Sequence, residues 1–215
     1  MKKIVLLIII AGFIAACSGS RPGHKTKNAW PITGDAASAS IIVLPFENQT
    51  NNLIGHKMLR KMAFDKFSKK GYHTVSMEEV DEKLKKKGIT DGGQLPYISR
   101  GVLKEVFGNR LACFGTVEDF TFQNLGFIVR KKVGLKIKVV SLLDNKIIFE
   151  HTGKGSDTKF FLSKDEAKEA FVEQMAVKLI GNMFKSPLKR ESRKAIRKIF
   201  KKIPKRYTSL ELRVD

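Results

Sequence analysis

A single long apolar run opens the chain and ends at a cysteine. This run determines which part of the sequence is expected to form the folded domain. Met1-Lys2-Lys3 supplies a positive start, and an apolar segment of about 13 residues follows it, ending at Ala16. A bilayer span takes roughly 20 apolar residues, so this segment is too short to cross a membrane. The pattern is typical of a secretory signal peptide over residues 1–16, and the folded part is expected to begin after it.

The end of this run, Ile14-Ala15-Ala16-Cys17, resembles the bacterial lipobox. The resemblance implies that Cys17 is diacylated, that the preceding segment is removed and that the new amino group is acylated. Each buried CH₂ contributes about 0.8 kcal/mol, so two or three acyl chains on one residue hold a protein at a membrane. Ser18 stands where an aspartate would favour the inner membrane, so the implied location is the periplasmic face of the outer membrane. An uncleaved anchor, or an ordinary signal peptide with an incidental cysteine, is the alternative.

The charge of the chain restricts its partners. The sequence has 41 basic and 21 acidic residues, and removing residues 1–16 deletes two lysines and no acid, which leaves 39 against 21, or +18. In a secreted protein such an excess indicates anionic lipid headgroups, peptidoglycan or an acidic protein surface rather than nucleic acid. With Cys17 lipidated, Cys113 is the only remaining thiol, so no intramolecular disulfide is expected.

Residues 17–37 are predicted to form a lipidated tether. The stretch after Cys17 is rich in Ser, Gly, Pro, Lys and Thr and lacks apolar periodicity. About 20 such residues have a root-mean-square span of roughly 25 Å, so the folded domain is expected to stay near its membrane.

The first half of the folded part alternates strands with helices. The β-branched run that closes at Pro45-Phe46 is typical of a strand buried on both faces. Ser76 with Glu79 forms a capping box that begins a helix. The predicted elements are strand 40–46, helix 53–70, strand 72–75, helix 76–88, a turn at 91–93 and helix 97–107.

In the second half the apolar pattern changes to a period of two, which is typical of strands. The predicted elements are strands 110–117, 127–143 and 146–150, followed by a helix that Ser163 and Glu166 cap and that runs through about Phe184. The order βαβα(α)βββα predicts an α/β (α+β) domain over residues 38–185, with a mixed β-sheet packed by helices in two or three layers.

Several short segments, in this order and spacing, resemble a family of bacterial outer-membrane lipoproteins of the meningococcal GNA type. They are Ile42 to Gln49, Lys70 to Tyr72, Val80 to Glu82, Gly88 to Asp91, Leu103 to Asn109 and the hairpin Val140 to Glu150. The resemblance covers roughly Ile41 to Phe184. It implies a fold like the N-terminal domain of TolB. Members are often encoded beside a lipoprotein similar to CsgG, the curli secretion pore subunit, which implies a role in an envelope transport or assembly complex.

Residues 186–215 are predicted to form a basic amphipathic tail. Between Lys185 and Arg206, 11 basic residues face one acid, Glu191, a net charge of +10. Apolar residues recur at helical spacing: Leu188, Ala195, Ile196, Ile199, Phe200 and Ile203. Two interpretations stay open: the basic face contacts anionic lipid or an acidic partner, or the apolar stripe docks on the domain while the basic face is only solvated. The candidate contact residues are Lys189, Arg190, Arg193, Lys194, Arg197, Lys198, Lys201 and Lys202.

The sequence offers no pattern for catalysis or for a bound metal, and no cofactor is expected. The segment 153–156 lacks the upstream glycine of a phosphate-binding loop, and the 4 histidines have no zinc-ligand spacing. Cys113 has no neighbouring cation to depress its pKa. Glu47 and Asn48 are candidate ligand or partner contacts, because they follow a buried strand at the end where α/β sheets bind ligands. Hydrogen bonding within their own loop is the alternative.

We therefore expect a non-enzymatic, lipid-anchored protein that faces the periplasm and acts by protein contacts, with a CsgG-like or another envelope lipoprotein as partner. One alternative is an activator of a peptidoglycan synthase, although the short tether argues against a protein that must reach through the cell wall. Another is a periplasmic binder of a small ligand, which a pocket near Glu47 would support. The identity of the partner and the oligomeric state are left open.

Overall fold

A computed structural model describes residues 40–179 and 186–205, with the main chain alone for residues 174–179. The predicted signal peptide (1–16), the lipidation site Cys17 and the tether (17–37) lie outside the described residues, as does the predicted end of a helix at Phe184. These expectations stay predictions.

The domain is built on one mixed β-sheet with the strand order β3-β1-β4-β5-β6, and β2 also pairs with β4. Strand β1 pairs in parallel with β3 and β4, whereas β4, β5 and β6 form an antiparallel meander. The strands are β1 (Ser40–Val43), β2 (Glu47–Asn48), β3 (His73–Thr74), β4 (Leu111–Asn124), β5 (Ile128–Ser141) and β6 (Ile147–Phe160).

Five helices accompany the sheet in the described part of the chain. They are α1 (Gly55–Lys69), α2 (Met77–Lys85), α3 (Arg100–Phe107), α4 (Lys164–Leu179) and α5 (Lys189–Phe200), with a 3₁₀ segment at Gly92–Tyr97. The Ser76 hydroxyl accepts a hydrogen bond of 3.1 Å from the Glu79 N–H, and Ser163 accepts one of 3.1 Å from the Glu166 N–H. Both predicted helix starts are thus confirmed.

Two apolar clusters lie on opposite faces of the sheet. One joins β1, β4 and β5 to α1 and α5, and Phe67 and Phe200 meet within it at 4.7 Å between ring centroids. The other joins the alternate residues Ile42 and Leu44 to α2, α3 and the 3₁₀ segment. The predicted mixed α/β fold is confirmed, and around β1 it has three layers.

Predicted boundaries are wrong at the first strand, at α3 and in the hairpin strands. The first strand stops at Val43 instead of residue 46, because Pro45 has no N–H to continue a ladder and the chain resumes pairing only at β2. The helix expected from Tyr97 begins at Arg100, where the Ser99 hydroxyl accepts a hydrogen bond from the Val102 N–H.

The third error is the length of the hairpin strands β4 and β6, which continue to Asn124 and Phe160 instead of ending at residues 117 and 150. The added half of β6 is polar and contains two glycines, and that of β4 lacks the continuous apolar pattern of its first half. Strand β5 between them supplies the pairing that holds both extended. The turn between β4 and β5 projects beyond the sheet, with Leu125 and Phe127 53% and 46% exposed.

Candidate functional site

Helix α5 lies directly against the edge strand β6, and two glycines of that strand allow it. A Cβ atom on Gly153 would overlap the carbonyl oxygen of Ala195, and one on Gly155 would overlap that of Glu191. Both glycines are buried under the helix. Glycine inside a strand often marks such a close approach of two backbones. Because Gly153 and Gly155 have no side chains, the backbone of α5 packs directly against the backbone of β6.

The apolar stripe of α5 is wholly buried, as part of the cluster that includes α1 and β5. Beyond the helix, the Lys70 ammonium donates to the carbonyl of Ile203 at 2.5 Å, and the Tyr72 hydroxyl donates to that of Pro204 at 3.1 Å. Of the two interpretations left open by the sequence, the structure thus shows the helix docked on its own domain. Residues 188–203 accordingly share the core of the sheet, although the sequence set 186–215 apart as a tail.

The outward side of α5 is a dense row of cations, which we call the basic face. The structure brings all eight predicted contact residues together here, and Lys205 extends the series. Lys189 and Lys194 are half-buried, and the others are exposed: Arg190, Arg193, Arg197, Lys198, Lys201, Lys202 and Lys205. Elsewhere in the described chain seven lysines and arginines form salt bridges, but none of the cations on the basic face pairs with a described acidic residue.

The pKa values of neighbouring groups respond to this charge. Burial, and then the charges of Lys205 and Lys66, lower the pKa of Lys70. Burial, and then the charge of Lys202, lower the pKa of His151. An uncompensated positive field of this kind attracts an acidic surface and speeds its association.

The sequence distinguishes Glu191 only as the single acid of this basic segment, and the structure shows that it is buried. Its side chain is 1% exposed, and neither carboxylate oxygen has a hydrogen-bond partner. The Ser192 hydroxyl beside it is also buried without a partner. Burying a charge without compensation is costly, so Glu191 weakens the docking of the helix rather than supporting it.

Glu47 and Asn48 form β2, which follows the carboxyl end of β1, and the structure does not bring them together with α5. The Glu47 carboxylate accepts hydrogen bonds from the Gln49 amide at 2.9 Å and from the Thr116 hydroxyl at 3.0 Å. The Asn48 side chain accepts from both the N–H and the hydroxyl of Thr50 and donates to the carbonyl of Asn52. Asn48 therefore holds its own loop, which is the alternative that the sequence left open.

Two clefts lie near this loop, and the smaller one is lined by Glu47, where a pocket would support the small-ligand alternative. The larger, of about 850 Å³, is bounded by residues 49–54, by 118–123 of β4 and by 186–188. The smaller, of about 180 Å³, lies between Glu47, Arg100 and Lys138. Only the larger has the 300–1,000 Å³ that is usual for small-molecule sites.

The thiol of Cys113 is not placed as a nucleophile. Cys113 is fully buried, and burial raises its thiol pKa, so the reactive thiolate is disfavoured. No three His, Cys, Asp or Glu residues among those described converge to hold a metal ion. Within the same part of the chain, no helix combines the length and the apolar character needed to cross a bilayer.

Comparison with known proteins identifies the family. The sequence model of the GNA1162-like lipoproteins matches residues 33–192, which is most of the chain. The chain belongs to the GNA1162-like lipoprotein family. The resemblance seen in the short segments of its sequence is thus confirmed. A search of curated proteins found no match.

Solved structures agree with the family assignment. Lipoprotein GNA1162 from Neisseria meningitidis is 20% identical, and the match covers 64% of this chain and 98% of that one at a TM-score of 0.53. LpoB from E. coli is 13% identical over 58% of this chain and 60% of that one, at a TM-score of 0.41. The hypothetical protein CT253 from Chlamydia trachomatis is 9% identical over 77% and 95%, at 0.47. GNA1162 thus shares the fold of this GNA1162-like protein, and the likeness to the other two is too weak to support an argument.

Proposed function

We propose that this GNA1162-like lipoprotein is a non-enzymatic, lipid-anchored component of an envelope secretion or assembly complex, and that it binds an acidic partner protein through the basic face of α5. The proposed location is the periplasmic side of the outer membrane, with Cys17 as the anchor. A CsgG-like lipoprotein is the partner we expect first. The observation that carries the proposal is the set of seven exposed cations that no described acid neutralises.

The docking of α5 favours a protein partner over a lipid surface. An amphipathic helix that binds a membrane inserts its apolar side into the headgroup region. Here the apolar side is buried in the domain core, so only electrostatic attraction of about 1 kcal/mol per cation is available to lipid. A rigid row of arginines and lysines also suits carboxylates, because arginine binds them in a bidentate manner. Flotation of non-lipidated protein with anionic liposomes distinguishes the two kinds of partner. A lipid partner would be favoured if the protein floated strongly and the charge-reversed variant described below did not.

A small-ligand function has weaker support. The cleft beside Glu47 is small, and both Glu47 oxygens already accept hydrogen bonds. The larger cleft has a suitable volume, but no second feature of the described residues points to a ligand there.

The test is a crosslinking pulldown of the lipidated protein from native envelopes, with Cys17→Ala as the unanchored control. A charge-reversed variant changes Arg193, Arg197, Lys198 and Lys202 to Glu, all of which are exposed on the basic face. Its matched control makes the same change at four exposed lysines elsewhere, Lys69, Lys85, Lys86 and Lys168.

We expect a CsgG-like or other envelope lipoprotein to be recovered by the unchanged chain and by the control, and to be lost from the basic-face variant. Recovery of a penicillin-binding protein with no pore component would overturn the proposed complex in favour of the synthase activator. Equal recovery by all variants would overturn the basic face as the contact.

A further inference from the structure

Strand β6 is the edge of the sheet and has an open side. In the described residues it pairs only with β5, along the whole of its length. In an antiparallel pair, alternate residues direct both backbone groups away from the partner strand. The Lys194 ammonium donates to the carbonyl of Ser156 at 3.0 Å, which places Ser156 in the outward set. Thr152, Lys154 and Thr158 share its register and also point their N–H and C=O groups outward.

A row of three lysines runs beside this edge. Lys194 and Lys198 are four residues apart, so they stand one above the other on a single flank of α5. Lys202 lies in the turn just beyond the end of the helix, where its N–H donates to the carbonyl of Ile199 at 3.0 Å. At one end Lys194 reaches Ser156, and at the other the charge of Lys202 acts on His151 of β6. Glu191 lies over Gly155, and Ala195 and Ile199 lie over Gly153, so α5 and the lysines on its flank run along β6. Arg193 and Arg197 lie on other sides of the helix, since each residue advances the helix by about 100°.

The spacing of the row matches that of a strand. Four residues of a helix rise about 6.0 Å, and two residues of a strand span about 6.6 Å. An extended segment placed along β6 would therefore keep alternate side chains in step with successive lysines for three positions. Its backbone would bond to the outward groups of β6.

We propose that the open edge of β6 accepts an extended acidic segment of the partner protein as an additional strand. Asp or Glu residues at alternate positions of that segment face Lys194, Lys198 and Lys202. This rests on the proposed function for the acidic nature of the partner, and it adds the mode of binding. A second copy of this chain is the poorer occupant, because it brings the same positive charge and the same lysine row to the edge. Until the partner arrives, Lys194 protects the edge by occupying the Ser156 carbonyl.

The test uses the full-length mature chain in detergent and two labelled synthetic peptides. One alternates Glu with Thr or Val over nine residues, and the other has the same composition with its Glu residues grouped at one end. Fluorescence anisotropy gives the affinity, and amide exchange reports the protection of residues 150–160. We expect the alternating peptide to bind about tenfold more tightly and to slow exchange at Thr152, Lys154 and Thr158.

Two pairs of variants separate strand pairing from general attraction. Lys154→Pro removes an outward N–H, which an edge strand tolerates, whereas Lys154→Ala removes the same charge and keeps the N–H. The proline variant should lose about tenfold in affinity relative to the alanine variant. If the proline variant does not fold, Lys198→Glu with Lys202→Glu serves instead, with Arg193→Glu and Arg197→Glu as its control.

The results distinguish the two proposals. A larger loss from the lysine pair than from the arginine pair, with exchange protection in β6, supports strand addition. Equal losses without protection overturn it and leave the basic face alone as the contact, so the proposed function survives. Protection of β6 in a dimer without peptide also overturns it, because a second copy then fills the edge. A failed envelope pulldown overturns the proposed function itself.

Discussion

The carbonyl oxygen of Glu191 lies so close to the α-carbon of Gly155 that a methyl group on the glycine would overlap it. Gly155→Ala must therefore push α5 away from β6, and overpacking of this kind costs about 1–3 kcal/mol. We expect a lower free energy of unfolding in urea. Gly101→Ala is the matched control, because its new methyl group meets nothing nearer than the Ser99 hydroxyl at 3.6 Å. Equal denaturation midpoints for the two variants would contradict the close contact.

Replacing Glu191 by leucine is expected to stabilise the domain. The carboxylate is buried without a hydrogen-bond partner, and an apolar side chain of similar volume removes the cost of burying its charge, about 1 kcal/mol or more. Thermal unfolding of Glu191→Leu and of the exposed control Glu169→Leu provides the measurement. A lower melting temperature for Glu191→Leu would mean that the carboxylate has a partner in solution.

Cys113 is expected to make the stability of the domain fall at alkaline pH. Burial raises the pKa of its thiol in the folded state above the ordinary value of 9.0. Below that value both states keep the proton; above it the unfolded chain releases its proton while the folded chain retains it. The free energy of unfolding therefore declines as the pH rises past 9. Urea titrations at pH 8 and pH 10 should show a smaller decline in Cys113→Val, and an equal decline would exclude this cause.

The field of the basic face can be measured at His151. Burial, and then the charge of Lys202, lower the pKa of this residue from its ordinary 6.5. Lys202→Gln is therefore expected to raise the pKa of His151 in an NMR titration, and Arg193→Gln to change it less. Because the folded pKa is lowered, the unfolded chain binds the proton more readily, and His151 reduces stability as the pH falls through 6.5. An unchanged titration in Lys202→Gln would place that charge away from β6.

The helix starts and the order of elements were predictable because they depend on local chemistry. Ser76 and Ser163 cap helices through hydrogen bonds within one turn, which a sequence shows directly. The length of β6 was not predictable in this way. Residues 151–160 include two glycines and few apolar side chains, and they are extended only because β5 pairs with them.

The basic face was found from the sequence, but its attachment was not. Charge and helical spacing identified all eight residues, since both are properties of the segment alone. The docking depends on Gly153 and Gly155. From the sequence, these two glycines were interpreted only as part of an incomplete phosphate-binding loop. Two glycines at alternate strand positions are a signal for close backbone approach, and they would have indicated a helix lying against that strand.

The parallel pairing of Ile41 with Leu111 determines the end of the sheet at which the described chain begins. The chain enters the sheet beside the first residue of β4, and the turn at Leu125 and Phe127 lies at the opposite pole, about 45 Å away along β4 at 3.3 Å per residue. The described domain therefore has one pole at Ser40, where the predicted tether is expected to join it, and an opposite pole with exposed apolar side chains. Partners that meet these poles are separated by most of the length of the domain.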